Sequence, residues 1–87
     1  MKKGSRGVLS ENEMARYVRE AVAAYFVALE GEEPSCPVYD MVISCVEKPL
    51  IETVLYHAGG NQTRAAELLG MNRNTLRKKI QSHKIKP

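Results

Sequence analysis

Apolar residues recur every third or fourth position along most of this chain, and three breaks divide that pattern into four helical segments. The first segment starts behind Ser10-Glu11-Asn12-Glu13, a capping-box pattern with serine at the N-cap and glutamate three residues on. Met14, Val18, Ala21, Val22, Tyr25 and Leu29 then line one stripe, which predicts a helix of about 19 residues. Gly31, free to adopt positive φ, stops it. Residues 31–37 (GEEPSCP) read as a loop, and Pro37 suits the first turn of a second helix, where its missing N–H costs nothing. Val38, Met41, Val42, Cys45, Val46, Pro49, Leu50, Val54 and Leu55 carry the pattern to about Ala58. Pro49 removes the hydrogen bond to the Cys45 carbonyl, so the spacing predicts a kinked helix. A break into two short helices is the rival, but the stripe stays in phase across the proline.

Gly59-Gly60 ends the second helix, and Asn61 is placed to cap a third over Gln62–Leu69. Gly70-Met71-Asn72 forms a tight turn, and Asn72 is placed to cap a fourth helix from Arg73 to about Ser82. No strand pattern competes, so the expected fold is all-α with a four-helix subunit. Residues 1–9 lack periodicity and read as a flexible basic tail with at most a weak phosphate contact. Residues 10–59 form a two-helix region and residues 60–87 a helical hairpin.

Charge separates these regions. Segment 60–87 holds Arg64, Arg73, Arg77, Lys78, Lys79, Lys84 and Lys86 against Glu67 alone, a net +6. Segment 1–59 holds six basic and nine acidic residues, a net −3, so the overall +3 hides a strong polarity. A compact basic end on an acidic body points to a nucleic-acid partner at that end. Four tyrosines, one phenylalanine and no tryptophan are too few for a base-stacking single-strand binder.

The hairpin has the spacing of a helix-turn-helix. Such a unit needs a small residue where its helices touch, a glycine in the turn and inward apolar residues on the second helix. Ala66 lies four residues before Gly70, and Leu76 and Ile80 lie six and ten after it. Ala65, Leu69 and Met71 complete a small core. The remaining face of the fourth helix shows Arg73, Asn74, Arg77, Lys78 and Gln81. An α-helix fits the major groove, with its N-terminal residues at the base edges. Arg73 is placed for a bidentate contact to guanine, and Asn72 for an adenine or a nearby phosphate. Thr75, Arg77 and Lys78 are placed for phosphates or the next bases. Asn61, Thr63 and Arg64, at the start of the third helix, are placed for phosphate. A basic helix alone is often only a solvated face, and apolar spacing alone matches many hairpins; their coincidence favours double-stranded DNA.

At these residues a family resemblance becomes specific. GNQTRAAELLGMNRNTLRKKI resembles the C-terminal signature of the Fis family (factor for inversion stimulation), bacterial nucleoid-associated DNA-bending proteins. YFVALEG and VYDMVISCVEKPLIETVL resemble that family's two dimerisation helices, including the proline in the second. The likeness spans roughly residues 11–85. It implies an intertwined homodimer whose two recognition helices sit closer than one DNA turn, so that the duplex must bend. Its DNA contacts carry over to Asn61, Thr63, Arg64, Asn72, Arg73, Thr75, Arg77 and Lys78, with Arg73 at the main base-reading arginine. Three positions depart from the pattern. Asn74 stands where the best-known members have glycine. About ten residues precede the first helix where enteric members have a long arm that activates DNA invertases, so that role is not expected. Some members touch RNA polymerase through the turn before the DNA-binding unit; here it reads His57-Ala58-Gly59-Gly60, without the expected basic residue.

The periodicity supports a homodimer independently. Two amphipathic helices and a small basic hairpin leave Val18, Val22, Tyr25, Met41, Val42, Leu50 and Val54 incompletely covered in one subunit. Oligomerisation is a common remedy at 87 residues.

Other chemistry is thinly represented. Cys36, Cys45, His57 and His83 include no pair at short metal-ligand spacing, so neither metal nor cofactor is expected. Cys45 reads as a small core residue on the apolar stripe, Cys36 as a free loop thiol. His57 reads as a helix-end residue near the backbone carbonyls, and His83 as an exposed residue near phosphate. No phosphate loop or nucleophile motif points to an enzyme. Neither a signal peptide nor a stretch of about 20 apolar residues is present, which makes the cytoplasm, and by the resemblance the nucleoid, the expected location. Two other readings are a DNA-binding module of an NtrC-type enhancer-binding activator and a helical interaction protein without a DNA role. The start at Met1 and the complete helical pair favour a stand-alone chain over the first.

Overall fold

A computed structural model describes residues 11–86. Four helices run in the order α1 (Glu11–Leu29), α2 (Val38–His57), α3 (Gln62–Leu69) and α4 (Arg73–Ser82), with no strand among the described residues. The expected basic tail and the Ser10 cap lie outside those residues. The chain divides into two compact units, one ending at Ser35 and carrying α1, the other starting at Cys36 and carrying α2, α3 and α4.

In the first unit α1 ends where the backbone turns left-handed at Glu30 (φ 52°) and Gly31 (φ 88°). The Glu32 amide reaches back to the Leu29 carbonyl at 3.0 Å. The helix has the predicted stripe, yet Met14, Tyr17, Val18, Phe26 and Val27 stay exposed, and no described residue of α1 is buried. Tyr25 and Phe26 meet edge to face, with ring centroids 5.6 Å apart.

The second unit holds the core. Ile51 and Leu55 of α2, Ala65 and Ala66 of α3, Leu76 and Ile80 of α4, and Ile85 beyond it form one buried cluster, with Val54, Ala58, Leu69 and Met71 packed against it. Leu76 is 0% and Ile51 1% exposed. Alanines at 65 and 66 let α3 approach its neighbours closely, as the small-residue requirement of a helix-turn-helix demands.

α2 runs unbroken through Pro49, so the two-helix alternative is not adopted. Proline cannot donate to the Cys45 carbonyl, but both residues are exposed, so water can satisfy that group. Pro37 lies one residue ahead of the first helical turn, at the N-cap, where its carbonyl accepts from the Met41 amide at 3.1 Å. Cys45 is exposed rather than part of the core, because the face of α2 that packs on α3 and α4 is Ile51–Leu55–Ala58. A second apolar seam at i, i+4, i+7 and i+11 — Tyr39, Ile43, Val46 and Leu50 — stays uncovered, with Leu50 51% exposed beside the buried Ile51.

Three helix ends in this unit share one device, in which an amide beyond a left-handed residue bonds back five positions. Gly60 N–H reaches Leu55 O at 2.9 Å past Gly59 (φ 65°), and Met71 N–H reaches Ala66 O at 3.0 Å past Gly70 (φ 75°). Ile85 N–H reaches Ile80 O at 2.9 Å past Lys84 (φ 55°), which brings Ile85 into the core. Glycine takes the left-handed position without strain; Lys84 does not.

Candidate nucleic-acid interface

Two asparagines open the two short helices in the same way. Asn61, extended at φ −78° and ψ 107°, caps α3 by accepting the Arg64 amide on Oδ1 at 3.1 Å. Asn72, extended at φ −65° and ψ 143°, caps α4 by accepting the Asn74 amide on Oδ1 at 2.7 Å. Each cap satisfies one amide that helix geometry leaves without an internal partner. The two helix starts meet at the surface, where Arg73 Nη1 donates to the Thr63 hydroxyl at 3.2 Å across ten residues of sequence.

All eight residues singled out from the sequence are exposed: Asn61, Thr63 and Arg64 at the start of α3, and Asn72, Arg73, Thr75, Arg77 and Lys78 on α4 or its cap. Arg64 pairs with Glu67 at 3.2 Å in an exposed contact. Such pairs contribute about 0–1 kcal/mol, so Arg64 can exchange Glu67 for a phosphate at little cost. Arg73 is steadied by Thr63 yet keeps other guanidinium donors free, which suits a bidentate acceptor. The N-terminal dipoles of α3 and α4 add fixed positive potential to the patch.

Asn74 belongs to the same surface, although sequence reasoning left it out of the contact set. Leu76 and Ile80 are buried, whereas Asn74 and Lys78, two residues on either side of Leu76, are exposed. At roughly 100° per residue, both lie about 160° around the helix from Leu76, on the face turned away from the core.

The far end of α4 is built differently. Glu47 of α2 accepts from Lys79 Nζ at 2.9 Å and, through its other oxygen, from His83 Nε2 at 2.9 Å. His83 is therefore not an exposed phosphate neighbour; its side chain is 12% exposed and docked on α2. An ionised carboxylate only accepts, so the proton of this contact sits on Nε2. The hydrogen bonds from His83 and then Lys79 hold the Glu47 carboxyl below its ordinary range. This cluster also removes one of the basic residues from the charge open to a partner. His57 closes α2, exposed, with its ring edge-on to Tyr56 at 5.7 Å.

A short helix pair joined at a left-handed glycine, packed on a longer helix and presenting asparagine-capped basic helix starts, defines a protein of the helix-turn-helix class. The pattern of the family described as "Bacterial regulatory protein, Fis family" matches residues 43–83. Over 75 residues the chain is 51% identical to a protein of Ralstonia nicotianae, covering 86% of this chain and 96% of that one. A protein of Neisseria meningitidis is 49% identical over 71 residues (82% and 89%). One of Pseudomonas aeruginosa is 53% identical over 68 residues (78% and 64%). All three are Fis-like DNA-binding proteins by name. The chain belongs to the Fis family. No helix among the described residues is long and apolar enough to cross a membrane.

Proposed function

We propose that this chain is a homodimeric, double-stranded DNA-binding and DNA-bending transcriptional regulator of the nucleoid. The observation that carries the reading is the joined, exposed start of α3 and α4, which holds Asn61, Thr63, Arg64, Asn72 and Arg73, with Arg77 and Lys78 exposed about one turn further along α4. The names of the relatives support the DNA-binding part of this reading. Arg73 reads guanine in the major groove, and Asn61, Thr63, Arg64, Thr75, Arg77 and Lys78 fix register on the phosphates. Asn72 gives its oxygen to the helix and keeps its Nδ2 donors for DNA.

The homodimer draws its support from uncovered apolar surface. The Tyr39–Ile43–Val46–Leu50 seam and the exposed apolar residues Met14, Val18 and Phe26 of α1 are what a second copy would bury. A two-fold pair presents two recognition helices to one duplex. Where these stand closer than one helical turn, about 34 Å, the duplex must curve to meet both.

One gel-mobility experiment tests the reading. A bound site moved from the end to the middle of a fixed-length fragment should retard the complex progressively, as a bend does. Equal mobility at every position overturns bending, and an absent complex overturns DNA binding. Arg73→Ala should weaken binding by about 1–3 kcal/mol and relax preference at one base pair per half-site. Wild-type affinity and preference in that variant would remove Arg73 from the base-reading role.

A further inference from the structure

We propose that Asn74 is a specificity-determining residue that reads adenine at a base pair other than the one read by Arg73. The inference rests on the DNA-binding reading above. An asparagine reads adenine with both ends of its amide, Oδ1 accepting from N6–H and Nδ2 donating to N7. Two asparagines begin α4, and the structure separates their chemistry. Asn72 has its Oδ1 on the Asn74 amide at 2.7 Å, so its acceptor serves the helix. A bidentate contact from Asn72 would have to use the second lone pair of an oxygen already held toward the helix. The Asn74 side chain is exposed and enters no hydrogen bond among the described residues, so both ends of its amide are open.

Its direction also fits. Asn74 and Lys78 are one turn apart on the face opposite Leu76, the face that a helix supported from behind by its core presents to a groove. Arg73 lies roughly 100° around the axis from Asn74 and is drawn toward α3 by its bond to Thr63. The two neighbours therefore address different base pairs. Asparagine is also short, so only a base edge close to the helix comes within its reach, at the first turn where the recognition helix lies nearest the groove floor.

The test uses the full chain and a duplex chosen by selection from a randomised pool. Each adenine is replaced in turn by 7-deazaadenine, which lacks the N7 acceptor. Wild type should lose about fivefold or more in affinity at one adenine per half-site. Asn74→Ala should lose that sensitivity while keeping its salt dependence, because no phosphate contact is removed. Asn74→Asp, which can only accept, should turn the selected base at that position from adenine to cytosine. Aspartate is well tolerated in the first turn of a helix, so this variant keeps its fold. The proposal is overturned if wild type ignores 7-deazaadenine at every position. It is equally overturned if the sensitivity survives Asn74→Ala; its disappearance in Asn72→Asp, which preserves the cap acceptor, would then assign the contact to Asn72. A wild-type chain that binds duplexes but selects no adenine sinks this inference alone; one that binds no duplex sinks the DNA reading beneath it.

Discussion

α1 and α3 are both amphipathic helices, and they use their apolar residues in opposite ways. α1 spans 19 residues and contributes none of the buried set, whereas α3 spans eight and contributes Ala65 and Ala66. The contrast extends to the units around them. Residues from Cys36 onward close a core from three helices and a tail, while α1 contributes no buried residue and leaves Met14 and Val18 of its stripe exposed. Apolar periodicity therefore identifies a helix but does not say what covers it. In α3 small residues between capped ends pack within their own chain, and in α1 a long stripe of large residues does not enter that core.

The largest expected effect probes the closed core. Leu76→Ala removes a side chain that is 0% exposed and should destabilise the second unit by about 2–5 kcal/mol, read from denaturant or thermal unfolding. Val18→Ala in α1, at a 42% exposed position, should then cost far less in an isolated chain. A cost for Val18→Ala that grows with protein concentration would break the contrast and show the stripe to be covered by association.

Next comes the uncovered seam of α2. Leu50→Asp should leave the fold of the second unit intact, because Ile51 and not Leu50 enters the core. It should weaken self-association at least about tenfold, since a charge placed in an apolar contact loses its hydration. Sedimentation or light scattering across a dilution series reads this, and an unchanged mass would take the seam out of the interface.

A smaller effect separates the two ends of α4. Glu47→Gln should cost about 1 kcal/mol at neutral pH by loosening the docked Lys79 and His83. The Glu47 carboxyl titrates below its ordinary value of 4.5 in the folded chain. A lowered folded value means the unfolded chain takes up the proton first. The stabilisation is complete above 4.5 and is lost as pH falls through the folded value. The gap between wild type and Glu47→Gln should therefore close on acidification below 4.5, and a constant gap would count against the carboxylate as its source.

The smallest effect concerns the seal of the core. Lys84→Gly relieves a left-handed φ of 55° and should stabilise by up to about 1 kcal/mol, visible as a raised melting temperature.

Much of this architecture was legible in the sequence. The bounds of α3 and α4 followed from Asn61, Gly70 and Asn72, because capping and left-handed turns are local chemistry. What escaped needed distance or a choice between faces. Leu50 and Ile51 are adjacent and both apolar, and periodicity on a helix with two apolar faces cannot tell which one packs inward. Ile85 carried no signal, because the turn that buries it centres on a lysine rather than a glycine. The Glu47 contacts join residues 32 and 36 positions apart, beyond the reach of any local pattern. At the candidate site, the exposure of Arg73, Arg77 and Lys78 followed from the inward spacing of Leu76 and Ile80 on the same helix. The pairing of Thr63 with Arg73 did not, since it depends on how the two helices cross.

The brevity of α3 has a consequence for cooperativity. Helices shorter than about 12–15 residues scarcely persist alone in water, so its eight residues owe their shape to neighbours on both sides. Its amides cannot open by fraying while α2 and α4 remain closed, because Ala65 and Ala66 fill the centre of their packing. In hydrogen exchange, the amides of α3 should therefore be released together with those around Leu55 and Leu76, in one opening event of the whole unit.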